Sequence, residues 1–146
     1  MSKQEIIVIA LDFEGTLISN AVSQIPRPGL YSFLENCQNK FPRIVIFTAV
    51  KEKHFRNIAT TLIEQKKVPS WFGELEYIEW NLQYKDLRFI PNVNPSQVVL
   101  IDDREEYVHP DWKNRWIQIQ GYDFPYSQSD RELEKVMEKL SCFSLY

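Results

Sequence analysis

The stretch IIVIALDFEGT, residues 6–16, decides the fold. Its first six residues are all apolar and mostly β-branched, and the run stops abruptly at Asp12. A continuous Val/Ile/Leu run of this kind reads as a strand buried on both faces, as in a parallel sheet covered on each side. Two further runs follow the same plan. RIVIFT, residues 43–48, ends on Thr48, and VVLIDD, residues 98–103, ends on Asp102 and Asp103. In open parallel sheets ligands sit outside the carboxyl ends of the strands, so Asp12, Glu14, Thr48, Asp102 and Asp103 are expected at one crevice.

The segments between these strands have helical periodicity. Residues 20–28 read as a loop, because Pro26 and Pro28 block a helix there. Over residues 29–39, Leu30, Phe33, Leu34 and Cys37 share one face. Over 51–65, Phe55, Ile58, Ala59, Leu62 and Ile63 recur at three- and four-residue spacing. Residues 68–84 are irregular and rich in aromatic rings, with ELEYIEW fitting a short strand and most of the rings expected to pack in the core or at its rim. Residues 91–96 form a turn cluster before a strand at 97–101, and RWIQI, residues 115–119, reads as a late edge strand. A terminal helix is expected over 129–140, capped by Ser129 or Asp130, with Leu133, Val136, Met137 and Leu140 buried. The strand–helix alternation predicts an α/β fold, a three-layer Rossmann-like parallel sheet.

At 146 residues the chain fits one domain, 1–146, able to bury about two thirds of the surface that its unfolded form exposes. A net charge of −3 argues against a broad nucleic-acid or anionic-membrane surface. The amino-terminal sequence MSKQEIIVIALDF lacks the pattern of a signal peptide, and no stretch reaches the roughly 18 apolar residues of a membrane span. A monomeric cytoplasmic protein is therefore expected. Cys37 and Cys142 form no CxxC pair, so neither a zinc site nor a disulfide is indicated. CQNKFPR does satisfy a C-x5-R phosphate-loop spacing, but Cys37 falls at the end of a helical stretch and Arg43 at the start of a strand. A phosphate cradle needs the reverse order, which makes Cys37 a packing residue. His54 and His109 read as surface residues rather than ligands.

The residues at the strand ends, joined by Lys85, form a coherent set for phosphoryl transfer. A carboxylate can attack phosphorus to give an acyl phosphate, and Asp12 is placed for it. Glu14, two residues on, could manage protons for the leaving oxygen and for the attacking water. Clustered carboxylates repel phosphate, so a hard cation such as Mg2+ is needed, with Asp102 and Asp103 as its holders. Lys85, the Thr48 hydroxyl and the loop amides near Gly15 and Thr16 supply donors to the phosphate oxygens.

Taken in order, DFEGT, FTA, KDL and IDD resemble the four motifs of the haloacid-dehalogenase-like (HAD) superfamily. Arg27-Pro28-Gly29, IVIFTAV and YKDL make the chain similar to the NLI-interacting-factor-like phosphatases related to those acting on the RNA polymerase II carboxy-terminal domain. The resemblance implies a HAD-like fold without a cap domain and a Mg-dependent phosphomonoester hydrolase working through an aspartyl phosphate, a protein phosphatase being one reading. It implies Asp12 as nucleophile, Glu14 as acid/base, Thr48 and Lys85 as phosphate ligands, and Asp12, the Glu14 carbonyl, Asp102 and Asp103 around the metal. Asp103 looks like the direct ligand and Asp102 its neighbour. Phosphorylated substrates are the implied partners, with no nucleic acid or membrane. Glu14 stands where the family usually has Asp, and its extra methylene exceeds the roughly 1 Å misplacement that already costs catalysis heavily. The segment from Thr48 to Lys85 is too short for the insert that holds a phosphopeptide in eukaryotic members, so the crevice should be open.

Two alternatives compete. A receiver domain uses similar groups, but its acidic pair comes first and its Lys last, the opposite of the order here. A catalytically weak or inactive binding module on the same fold is the stronger rival, countered by the carboxylates retained at positions 12 and 14.

Overall fold

The computed structural model describes residues 5–143. Residues 1–4, which open the stretch read above for a signal peptide, lie outside the described residues, as do 144–146. Five parallel strands form one sheet, in the order β3-β2-β1-β4-β5. They are β1 (Val8–Leu11), β2 (Arg43–Ile46), β3 (Glu76–Tyr77), β4 (Val98–Asp102) and β5 (Trp116–Gln118). The three α-helices are α1 (Leu30–Lys40), α2 (Glu52–Glu64) and α3 (Glu132–Phe143).

Registry carries the fold's main consequence. Leu11 pairs with Ile46 on one side and with Ile101 on the other, so the three central strands end level. Asp12, Thr48 and Asp102 leave the sheet at one edge. β1 and β4 are buried throughout and β2 from Ile44 onward, as their unbroken apolar runs require. Between β1 and β2 there is a loop and α1, leaving no room for a cap domain.

The two faces are covered differently. On one, Ile9, Leu11, Ile46, Val99 and Ile101 pack against the apolar stripes of all three α-helices. On the other, Val8, Ala10, Val45, Phe47 and Leu100 are covered by Ile78, Leu87, Ile90 and Val108, with Trp80, Trp112 and Trp116 at the margin. Short 3-10 turns at Leu87–Phe89, Glu105–Tyr107 and Pro110–Arg115 form that third layer in place of α-helices. Among the described residues no helix is long and apolar enough to cross a membrane.

Most expected elements fall within two residues of their observed ends, but the start of the terminal helix is a correction. Neither Ser129 nor Asp130 flanks it directly, since α3 begins at Glu132. Asp130 still accepts the Glu132 N–H at 3.1 Å, while its carboxylate is held by Arg27 and Ser129 is tied to Ser127 in a preceding turn. Rings of the irregular aromatic segment pack in the core and at its rim, as expected. Phe72 joins the core, and Trp71 packs at its edge. Cys37 is buried on α1, and burial pushes its thiol up to about 12, as befits a packing residue.

Phe55 is the keystone of the helical layer. Its ring meets Phe13 edge-on at 5.0 Å and Phe72 at 5.5 Å, tying α2 to the loop after β1. Phe55→Ala is expected to cost about 3–5 kcal/mol, measured by urea denaturation.

Candidate functional site

Two centres of charge organise the edge where the strands end. Lys85 is almost wholly buried, and its ammonium donates to Asp12 Oδ1 at 2.9 Å and to Asp102 Oδ2 at 2.5 Å. It also lies over the rings of Trp80 and Tyr107, at 5.6 and 5.8 Å from their centroids. Lys85 reaches this place because its own N–H bonds the Tyr107 carbonyl at 2.7 Å, which stitches the β3–β4 connection to the loop after β4. The second Asp12 oxygen accepts the Thr16 hydroxyl at 2.8 Å, and that hydroxyl also lies 3.3 Å from Asp103.

Asp12, Asp102 and Asp103 each offer an oxygen within 4.8 Å of the others. Burial in the first place, then the charge of Asp12, pushes Asp102 up to about 7 and Asp103 up to about 8. Burial alone would depress Lys85, yet Asp12 and Asp102 more than offset it, so its ammonium is held above the ordinary value. Fully ionised, three carboxyl groups beside one ammonium would leave an excess of negative charge, and Asp102 and Asp103 offset it by retaining protons. All-oxygen donors at this spacing fit a hard divalent cation such as Mg2+, completed by waters or substrate oxygens.

Gly15 is required where it stands. Its φ of +76° suits only a residue without a side chain, and a Cβ there would lie 2.4 Å from Asp103 Oδ2. The loop after β1 and the acidic pair at the end of β4 are thus in direct contact, something the DFEGT spacing does not by itself disclose.

Thr48 is buried at the end of β2, where its hydroxyl accepts the Val50 N–H at 3.1 Å and its carbonyl accepts the Trp80 indole at 2.7 Å. Glu14 is placed differently. Its carboxylate turns away to the loop that follows and accepts the Ala21 N–H at 2.6 Å. Asp12, Asp102 and Asp103 therefore lie together, with Lys85 paired to the first two, Thr48 at the end of the neighbouring strand, and the Glu14 carboxylate engaged elsewhere. Of the four tryptophans, Trp80 borders the site, Trp116 donates to the Asp102 carbonyl at 3.0 Å, Trp71 packs in the helical layer, and Trp112 donates to Asp86.

Arg27 is the residue whose importance the sequence understates. It is fully buried, and its guanidinium donates to Gly15 O at 3.0 Å, Thr16 O at 3.2 Å, Gln120 O at 2.5 Å and both oxygens of Asp130 at 3.0 Å. Tyr122, whose ring lies 5.3 Å from the guanidinium, sends its own N–H to Gly15 O at 2.9 Å. The Arg-Pro-Gly signature marked the position, but nothing local revealed that two of its partners, Gln120 and Asp130, lie 93 and 103 residues away. Arg27→Met would remove the ion pair with Asp130 and the donors to the Thr16 and Gln120 carbonyls, leaving Gly15 O only the Tyr122 N–H, an expected loss of about 3–5 kcal/mol in urea denaturation.

With this geometry described, comparison with known proteins gives a consistent picture. Residues 3–144 match the sequence model of the NLI interacting factor-like phosphatases. No curated protein matches. Among solved structures, fission yeast "RNA polymerase II CTD phosphatase Fcp1-R271A bound to beryllium fluoride" superposes with a TM-score of 0.59 at 19% identity, over 97% of this chain and 51% of that one. A second, "Fcp1, an essential RNA polymerase II CTD phosphatase", gives 0.61 at 19% identity, over 97% and 50%. The chain spans about half the length of these structures, and at such identity the likeness concerns the fold.

Proposed function

Because the chain belongs to the NLI interacting factor-like phosphatase family, we propose that it hydrolyses phosphomonoesters through an aspartyl phosphate on Asp12. The observation that carries this reading is the Lys85 ammonium bridging Asp12 and Asp102, with Asp103 beside them. Asp12 attacks phosphorus and the alcohol departs; water then attacks the acyl phosphate, releasing phosphate and regenerating the carboxylate. Lys85 and the Thr48 hydroxyl orient the phosphoryl oxygens and offset their charge as the bond breaks. Asp102 and Asp103, with Asp12, would hold Mg2+, which neutralises charge on the transferring group. Glu14 would protonate the leaving oxygen and then take a proton from water, after exchanging the Ala21 N–H for substrate. Phosphorylated protein side chains suit a crevice without a cap.

That engagement of Glu14 is the one observation favouring the rival, a weakly active or inactive binding module. A single comparison separates the two. Wild-type protein with Mg2+ is expected to release phosphate from an aryl phosphate, to stop with EDTA, and to lose at least about 10³-fold in kcat as Asp12→Asn. Equal silence of both proteins on a broad phosphate panel would favour the binding module.

A second expectation follows from charge. In the folded protein Asp102 titrates near 7 and Asp103 near 8, both above the ordinary carboxyl value of 3.8. Folding therefore retains protons that the unfolded chain has released, and metal-free stability should fall as pH rises from about 4 to about 8. Mg2+ competes with those protons. Its stabilising effect on the thermal midpoint should be small at pH 5 and large at pH 8; an effect independent of pH would place the metal elsewhere.

A further inference from the structure

Three connections leave the catalytic edge of the sheet after β1, β3 and β5, and they share features that the chemistry of phosphate alone does not explain. Each carries an exposed apolar side chain. Val22 follows β1, Leu82 follows β3 with 59% of its surface exposed, and Phe124 follows β5 with 83% exposed. Each also holds a non-glycine residue at positive φ: Gln24 at 54°, Leu82 at 64° and Tyr126 at 55°. Such backbone costs about 1–3 kcal/mol per residue and persists where the surroundings over-determine it.

All three segments are anchored to the site. Ala21 is held by the Glu14 carboxylate, and Asn20 donates to the Tyr126 hydroxyl at 3.5 Å, joining the first segment to the third. Leu82 lies two residues beyond Trp80, which bonds the Thr48 carbonyl and covers Lys85. Phe124 lies three residues beyond Gly121, whose Cβ position is 3.2 Å from Asp103 Oδ2, and its ring meets Tyr126 at 5.9 Å. At no more than about 3.6 Å of chain per residue, Leu82 and Phe124 stand within roughly 11 Å of site residues.

Charge complements this arrangement. Residues 17–26, 78–84 and 119–130 contain no Lys or Arg; Glu79 lies three residues before Leu82 and Asp123 just before Phe124, and Lys85, the cation nearest Leu82 in sequence, is buried and paired with Asp12 and Asp102. At the same edge Lys51 and Arg104 belong to the other two connections, and Arg104 is paired with Glu106 at 3.1 Å. A substrate with further phosphates next to the scissile one would find no cation on these three segments and would meet Glu79 and Asp123 on the second and third, whereas apolar groups could bury Leu82 and Phe124.

We infer that Leu82 and Phe124 select the alcohol part of the substrate, a phosphorylated peptide side chain flanked by apolar neutral residues. The inference rests on the phosphatase reading of Asp12, and the test keeps the two apart. Phosphate release would be measured on an aryl phosphate, on one phosphopeptide with Leu and Val flanking the phosphoserine, on the same peptide with Glu at the flanks, and on a 5′-phosphorylated oligonucleotide. Wild type should show at least tenfold higher kcat/KM on the apolar peptide than on the acidic peptide or the oligonucleotide. Leu82→Glu and Phe124→Glu should each erase most of that preference through KM, leaving aryl phosphate turnover unchanged. Both positions are exposed, so folding should survive. Equal use of the two peptides, a preference for the oligonucleotide, or a preference indifferent to both substitutions would overturn the inference while leaving aryl phosphatase activity standing. Silence on every phosphate would instead sink the reading on which it rests.

Discussion

An ammonium group that is nearly inaccessible to solvent, held between two carboxylates that would otherwise repel each other, is the interaction on which the rest of the structure depends. Without Lys85, Asp12 and Asp102 would be two like charges at the ends of adjacent strands with little water to screen them. With it, the strands can end level, β1 against β4, and expose their carboxylates at a single edge. The neighbouring elements are arranged around that ammonium. Trp80 and Tyr107 wall it, and the backbone bond from Lys85 to Tyr107 brings the β3–β4 connection over the sheet. The compensation is incomplete because Asp103 adds a third carboxylate, and the unbalanced charge is what makes the cluster suited to a cation rather than merely a structural ion pair.

The difference between the two faces of the sheet follows from the same requirement. Helices α1, α2 and α3 crowd one face, where their apolar stripes meet Ile and Leu side chains from four strands. On the opposite face the chain must deliver Lys85 from between β3 and β4 to the edge, and short 3-10 turns can do this where a long helix would carry the backbone past it. The aromatic content of residues 71–84 is then understandable. Large flat rings cover much area per residue: Trp71, Phe72 and Tyr77 extend the helical-face core, and Trp80 serves the thin layer over Phe47 and Leu100.

Which parts of this were legible beforehand depends on how local their signals are. β1, β2 and β4 declare themselves, because burial on both faces leaves unbroken apolar runs that no other element of that length requires. α1 and α2 declare themselves through spacing, and Asp12, Thr48, Asp102 and Asp103 through their place at strand ends. The start of α3 was obscured because Asp130, which has the chemistry of a cap, is shared with a guanidinium from residue 27, and a sequence window around 130 contains no trace of it. Glu14 shows the same limit. Its position in DFEGT marks it for proton transfer, while the direction of its carboxylate is set by the Ala21 N–H in a turn stabilised by Asn20, a tertiary detail with no periodic signature.

Arg27 completes the logic of the nucleophile loop. A loop that must bring a carboxylate close to two others cannot relax outward without being held, and its backbone carbonyls at Gly15 and Thr16 face a buried interior where each needs a donor. One guanidinium supplies both, and its remaining N–H groups reach the Gln120 carbonyl and Asp130. The result is a closed circuit from β1 through α1's entry loop to the segment after β5 and the start of α3. Lysine could not replace it, because an ammonium lacks the fork that spans two carbonyls and a bidentate carboxylate at once. Position 27 thus links residues 15–16 and 120–130 to the geometry of Asp12, and the placement of that carboxylate depends on residues that no single stretch of sequence contains.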